Sequence, residues 1–288
     1  MLKRFLFICL IILLVLSSNA KDKGKPEKSR PVRFSNDVGL LIGGAYYLGE
    51  LNPSKHFYMM QPALGLFYRY NQNYRFSYLV GMNFGSIMGD DSQSDDIDQL
   101  NRNLNFKSKL KELHALAEFN FWDYRIGNNK KNFAPFLFAG IALLHHNPVA
   151  VYKGNEFDLQ PLSTEGQGTP LDGKQKPYKL TQITLPFGIG AKLNLSHNVG
   201  LSFEWGMRKT FTDYLDDVSK QYVNRNLLAA FKGNTAAVLS DRSLDTDALN
   251  HTGAQRGNPG IKDWYNFFGF KISVQINRVK KCSGAYGT

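Results

Sequence analysis

In the stretch VGLSFEWGMRKT (199–210), Val199, Leu201, Phe203, Trp205 and Met207 alternate with Gly200, Ser202, Glu204, Gly206 and Arg208. Successive side chains of a strand point to opposite faces, so this spacing builds a strand with one greasy face and one small or charged face. The pattern occurs eight times. The other runs are 38–47, with Val38, Leu40 and Ile42 on one face; 62–71, with Leu64, Leu66, Tyr68 and Tyr70; 74–88, with Phe76, Tyr78, Val80, Met82 and Phe84; and 111–124, with Leu113, Ala115, Ala117, Phe119 and Phe121. Run 133–144 is apolar on both faces, which leaves its facing open. Run 180–195 carries Ile183, Leu185, Phe187, Ile189, Ala191 and Leu193, and run 264–279 carries Phe268, Phe270, Ile272, Val274 and Ile276.

The connections constrain the fold further. Runs two and three are joined by 71–73, six and seven by 196–198, and four and five by a moderate turn around 125–131. The remaining connections, 48–61, 89–110, 145–179 and 213–263, are longer than compact domains normally carry. Strict alternation of short and long connections is the pattern of an outer-membrane barrel. The expected fold is all-β: an eight-stranded antiparallel transmembrane β-barrel over 37–279 with long extracellular loops. The last loop should hold short helices, with Asn226 capping one, Gly233 ending it and Asn234 capping the next.

In such a barrel the apolar stripe faces lipid and the lumen takes the polar residues. That orientation places Arg69, Arg75, Lys192, Arg208 and Lys271 inward together with Glu112, Glu118 and Glu204. Eight strands leave an interior that side chains can fill. Buried charges of opposite sign must pair, so the near balance of signs predicts a plugged interior and no open pore. A water-soluble barrel would invert the faces. Two features weigh against it: Gly65, Gly81, Gly85, Gly188, Gly190, Gly200, Gly206 and Gly269 share the polar face, as a crowded lumen requires, and Tyr and Trp gather at the run ends. The girdles expected from this are Tyr68, Tyr70, Tyr74, Trp122 and Tyr124 at the short-turn end and Tyr46, Tyr47, Trp264 and Tyr265 at the other. Pro186 resists, because it cannot donate to a ladder; a bulge or a later strand start is expected there.

The chain begins with Lys3 and Arg4, an apolar run and Ser18-Asn19-Ala20, which reads as a signal peptide over 1–20. Residues 21–36 are basic and proline-interrupted and should form a disordered periplasmic tether. Residues 280–288 form a periplasmic tail, since an even strand number puts both ends on one side of the outer membrane. After cleavage only Cys282 remains of the two cysteines; it has no internal partner and is a candidate crosslink to another protein. The formal charge of +11 comes without a basic helical face or stacking platform, which argues against nucleic acid.

The acidic stretch GDDSQSDDIDQ (89–99) lacks the spacing of a calcium loop and reads as a solvated loop. Asp213, Asp216 and Asp217 form a tighter cluster, better explained by a turn or by pairing with Arg242 or Arg256 than by a metal. His145 and His146 point to opposite faces and cannot share an ion. His114 should sit in the lumen beside Glu112 and Glu118. With no Ser–His pair on one face, no enzyme activity, cofactor or small-molecule substrate is expected.

Several stretches carry a resemblance: GGAYYLGELNP (43–53), NRNLNFKS (101–108), EFNFWDY (118–124), QPLSTEGQG (160–168), RKTFTDYLDDVS (208–219), LSDRS (239–243), and QRGNP followed by DWY (255–265). In this order they resemble the PorG family of outer-membrane barrels in the type IX secretion system of Bacteroidota. The resemblance implies a structural role in protein export, with the periplasmic ring lipoprotein PorK and its partner PorN as partners beside membrane lipid. It brings no catalytic residues. The alternative is an OmpA-like surface barrel serving as adhesin or envelope scaffold.

Overall fold

The computed structural model describes residues 35–173, 176–245 and 251–276. Among the described residues nine strands form, in chain order: β1 (Ser35–Leu48), β2 (Gln61–Asn71), β3 (Phe76–Asp90), β4 (Asn105–Asn120), β5 (Phe133–Tyr152), β6 (Asn155–Asp158), β7 (Thr181–Asn194), β8 (Val199–Thr210) and β9 (Trp264–Gln275). Eight of them pair antiparallel in the order β4-β3-β2-β1-β9-β8-β7-β5, and β5 pairs back onto β4, so the sheet closes on itself. The seam between the first and last strands is fully zipped, from Asp37 opposite Gln275 to Leu48 opposite Trp264. Closure leaves no unpaired edge, which hydrocarbon would not tolerate. The ninth strand, β6, is a short hairpin partner of the projecting end of β5.

Alternation sets the facing as expected. Phe203 and Ile272 stand outside at 41% and 43% exposure, whereas Glu204 and Lys271 are 1% exposed inside. The outer belt continues through Leu40, Leu66, Val80, Leu113, Ile141 and Ile189, all exposed. An apolar belt around a closed barrel with charges inside matches a lipid-facing wall and no water-soluble core. Among the described residues no helix is long and apolar enough to cross a membrane. For β5 the structure decides what alternation could not: Ala134, Phe136, Phe138, Ala142 and Leu144 face inward.

Several expectations are corrected. Strands β3, β4 and β5 reach Asp90, Asn105 and Tyr152, so part of two supposed loops is strand standing above the rim. Pro186 marks neither a bulge nor a strand start. β7 runs through it, and its pairing with β5 merely skips two residues, resuming at Ala142 opposite Thr184 in unchanged register. Of the girdle, Tyr68 and Trp122 are exposed, but Tyr47, Tyr124 and Tyr265 are buried and turned inward, and Tyr46 is covered by His56 and Phe57 of the first loop. Asn224, not Asn226, caps the helix Arg225–Lys232 by accepting from the Leu227 N–H, and Gly233 ends it. Gly233 also holds the cap position of the next helix, Asn234–Ser240, where Asn234 is the first residue. The segments expected to be a signal peptide, a basic tether (apart from its last two residues) and a tail, with Cys282, lie outside the described residues.

Candidate functional site

The lumen is filled by two carboxylate-centred clusters. Glu118 takes the Arg69 guanidinium at 2.9 Å and the Lys192 ammonium at 2.6 Å on the same oxygen, and Asp37 lies 3.8 Å from Arg69. Glu112 accepts from Arg208 Nε at 3.2 Å, Asn83 at 2.8 Å and the Tyr265 hydroxyl at 2.7 Å, with His114 Nδ1 3.1 Å away. Lys271 pairs with Glu204. Seven of the eight residues assigned to the lumen therefore meet there, each buried.

Arg75 does not. It precedes β3 and lies in the turn, half exposed, bonded to Asp123 at 2.9 Å and to the Phe121 carbonyl at 2.6 Å. The strand begins two residues later than alternation suggested, and this side chain is freed to reach water. Asp37, Asn83 and Tyr265 were missed as lumen members. A pattern of charges does not show that a tyrosine hydroxyl or an amide completes a carboxylate's shell.

The lumen also holds rings. Phe67, Leu79, Leu116, Phe136 and Phe138 pack together, and cations lie over their faces: Arg69 and Lys271 over Phe67, Lys192 over Phe136. Cation–π contacts add to the ion pairs when water is excluded. Inward glycines make the room. A Cβ on Gly190 would fall 2.5 Å from the Phe136 ring, and one on Gly188 2.7 Å from Phe138.

Above the barrel the long loops fold into a cap. Tyr47, Leu51, Leu104, Phe106, Leu144, Leu159, Leu215, Val218, Leu239 and Phe267 form one buried cluster across strand tops and loops. Its polar hub is Arg256, which donates to Glu165 at 2.9 Å, to the Asp217 carbonyl and to the Ser240 carbonyl. Glu165 also accepts from the backbone of Ser219 and Lys220. Tyr178 stacks on Tyr214 at 4.6 Å and donates to Asp217, as does Thr164. Burial pushes the Asp217 carboxyl up to about 6 despite Arg256 beside it. Pairing of Asp217 with Arg256 was expected; the 3.8 Å contact provides it. Arg242 instead lies near Tyr152 and the Val151 carbonyl.

The stretches singled out in the sequence converge here. Glu50, Arg102, Glu165, Asp213 to Ser219, Ser240, Arg256 and Asp263 come from six of them and meet over one mouth, while EFNFWDY lies at the opposite end of β4. Acids of 89–99 are occupied within the loops: Asp91 holds Arg102 through two bonds, Asp96 caps the helix Ile97–Arg102, and Asp95 pairs with Lys55. His146 is buried against Tyr178, and His145 is outside beside Thr181, so the two point apart as expected.

One further group of acids stands at the root of the cap. Glu50 follows β1, Asp213 follows β8 and Asp263 precedes β9, three adjacent strands; an oxygen of each lies within 4.8 Å of the others. Asp216 joins them through the Tyr47 hydroxyl, which contacts Asp216 at 2.5 Å and Asp263 at 3.0 Å. Burial pushes Glu50 up to about 7 and Asp213 up to about 6, and raises Asp216 and Asp263 well above the carboxylate range.

Comparison with known proteins gives likenesses of low identity. The Yersinia pestis attachment invasion locus protein Ail, solved with the heparin analogue sucrose octasulfate, is 8% identical over 84% of this chain and 97% of its own, with a TM-score of 0.38. Neisserial surface protein A is 11% identical over 84% and 97%, with a TM-score of 0.38. The N-terminal β-barrel domain of Pseudomonas aeruginosa OprF is 10% identical over 85% and 100%, with a TM-score of 0.35. No curated protein matches the sequence. A family model described as "Domain of unknown function (DUF6089)" matches residues 10–237, most of the chain, and the chain belongs to that family.

Proposed function

We propose that this chain is a non-enzymatic, non-conducting outer-membrane barrel that anchors or positions a periplasmic assembly for protein export, the ring of PorK and PorN in a type IX secretion system. On this reading the short turns and both termini face the periplasm and the cap faces outward. The observation that carries the structural role is the interior itself. Paired charges and rings fill the lumen, and a hydrophobic cluster closes the mouth. A barrel so filled offers ions no wet path, so its use must reside in its ends. The export role rests on the sequence resemblance alone. Deletion of the chain should abolish surface delivery of exported cargo, and mild-detergent isolation should bring PorK and PorN with it.

The second reading is a surface barrel acting as scaffold or adhesin with no part in secretion. It is favoured by the cap, which spends many buried polar contacts on holding a defined outer surface. Unchanged secretion in the deletion strain, with no ring protein co-purifying, would select it and reject the export role.

A further inference from the structure

We propose that Glu50, Asp213 and Asp263 form a calcium site at the seam where the cap is rooted in the barrel. Two oxygens bound to one calcium ion at about 2.4 Å can stand no more than about 4.8 Å apart. The three carboxylates already meet that limit pairwise. The donors are all hard oxygens with no His or Cys among them, a set suited to calcium or magnesium and unsuited to zinc or copper. Irregular placement from three separate chain segments favours calcium, whose coordination is flexible, over octahedral magnesium.

An independent observation points to a missing ligand. Asp213 is 3% exposed, and its Oδ2 accepts from the Ser219 hydroxyl at 2.7 Å, yet its Oδ1 accepts no hydrogen bond; neither does the buried Oε2 of Glu50. Buried carboxylate oxygens are normally satisfied. The surroundings supply the deficit only in part, through a proton shared between the Glu50 and Asp263 carboxyls. Tyr47 stands between Asp216 and Asp263 with one hydroxyl proton, which can serve only one of them. Arg102, whose charge acts on Asp216, is held by two bonds to Asp91, and the Lys262 ammonium, whose charge acts on Asp213, donates to the Pro259 carbonyl. A divalent ion would satisfy the orphaned oxygens and the charge together. Glu50 is only partly buried, so water can complete the shell. The ion would tie the start of the first loop to both ends of the last, across the β8-β9-β1 seam.

The test uses the full chain folded in detergent and stripped with EGTA. Terbium luminescence excited through tyrosine should appear on titration and be displaced by calcium. Calorimetry with calcium chloride at pH 7.5 should give one saturable site, with Kd of about 10⁻⁴–10⁻³ M, as in extracellular calcium modules. Asp213→Asn and Glu50→Gln should each weaken binding at least tenfold, while Asp95→Asn, in the first acidic loop, should leave it unchanged. Heat-dependent gel mobility confirms that each variant is a folded barrel, and Glu50→Gln, at the partly exposed edge, serves if Asp213→Asn does not fold. Absence of a saturable calcium signal in the wild-type chain overturns the site, as does undiminished binding in the folded variants. A cap whose acids are neutralised only by protons gives the first of these results.

Discussion

Replacing Glu118 by Gln removes one charge and almost no volume from the filled lumen. Both cations that converge on it, Arg69 at 2.9 Å and Lys192 at 2.6 Å, are nearly inaccessible to water. At an effective dielectric constant of 20 each contact is worth roughly 6 kcal/mol of gross Coulomb energy. Most of that offsets the cost of burying the ions, so the net loss on breaking the cluster is about 3–5 kcal/mol. Asp37, 3.8 Å from Arg69, can hold one of the two freed cations but not both. The double variant Glu118→Gln/Lys192→Met removes one charge of each sign and should recover at least half of the loss. Urea unfolding in detergent micelles, followed by fluorescence of Trp122, Trp205 and Trp264, measures both. A single variant within about 1 kcal/mol of the parent would refute the lumen ion cluster as a source of stability, and so would a double variant less stable than the single.

Arg75→Ala should change stability by less than about 1 kcal/mol, because its pair with Asp123 is half exposed; a larger loss in the same unfolding experiment would contradict its place in the turn. Gly43→Val should block folding, since a Cβ at this position would meet the Phe268 carbonyl and Gly269 of the facing strand; a normal heat-dependent gel shift would refute that close approach. The cap should loosen as pH rises with calcium chelated. Asp217 titrates near 6 when folded, against an ordinary value of about 3.9, so the folded state binds more protons between the two values and loses stability as pH rises through them. Hydrogen exchange over 213–223, corrected for its intrinsic rate, should therefore show less protection at pH 7 than at pH 5, and the opposite trend would refute the burial of these acids. The purified barrel should carry no current in planar bilayers; stepwise channels would remove the plugged lumen.

The barrel was legible because its cause is periodic. Alternation at Phe203/Glu204 and Ile272/Lys271 states facing, and loop lengths state which strands are neighbours. Seven lumen charges followed from that alone. The places where sequence reading went astray are those where tertiary contact outweighs period. Arg75 falls one residue outside its strand, Pro186 is carried within β7 by its pairing with β8, and Tyr47, Tyr124 and Tyr265 look like girdle residues but turn inward to share hydroxyls with buried groups. The cap was almost illegible. Glu165 meets Arg256 across ninety-one positions, and the acids Glu50, Asp213 and Asp263 are gathered only when three strand ends are brought side by side. No local spacing encodes such a meeting; the nearest signal was that most of the unusual stretches reached into long loops.

Pairing of β1 with β9 sets an order of events. The last strand of the barrel must arrive before the first can find its second neighbour, so no tube exists until β9 is in place. Glu50 lies on one lip of this late join and Asp213 and Asp263 on the other. The lid can therefore latch only on a cylinder that has already shut, and its latching would report that insertion is complete.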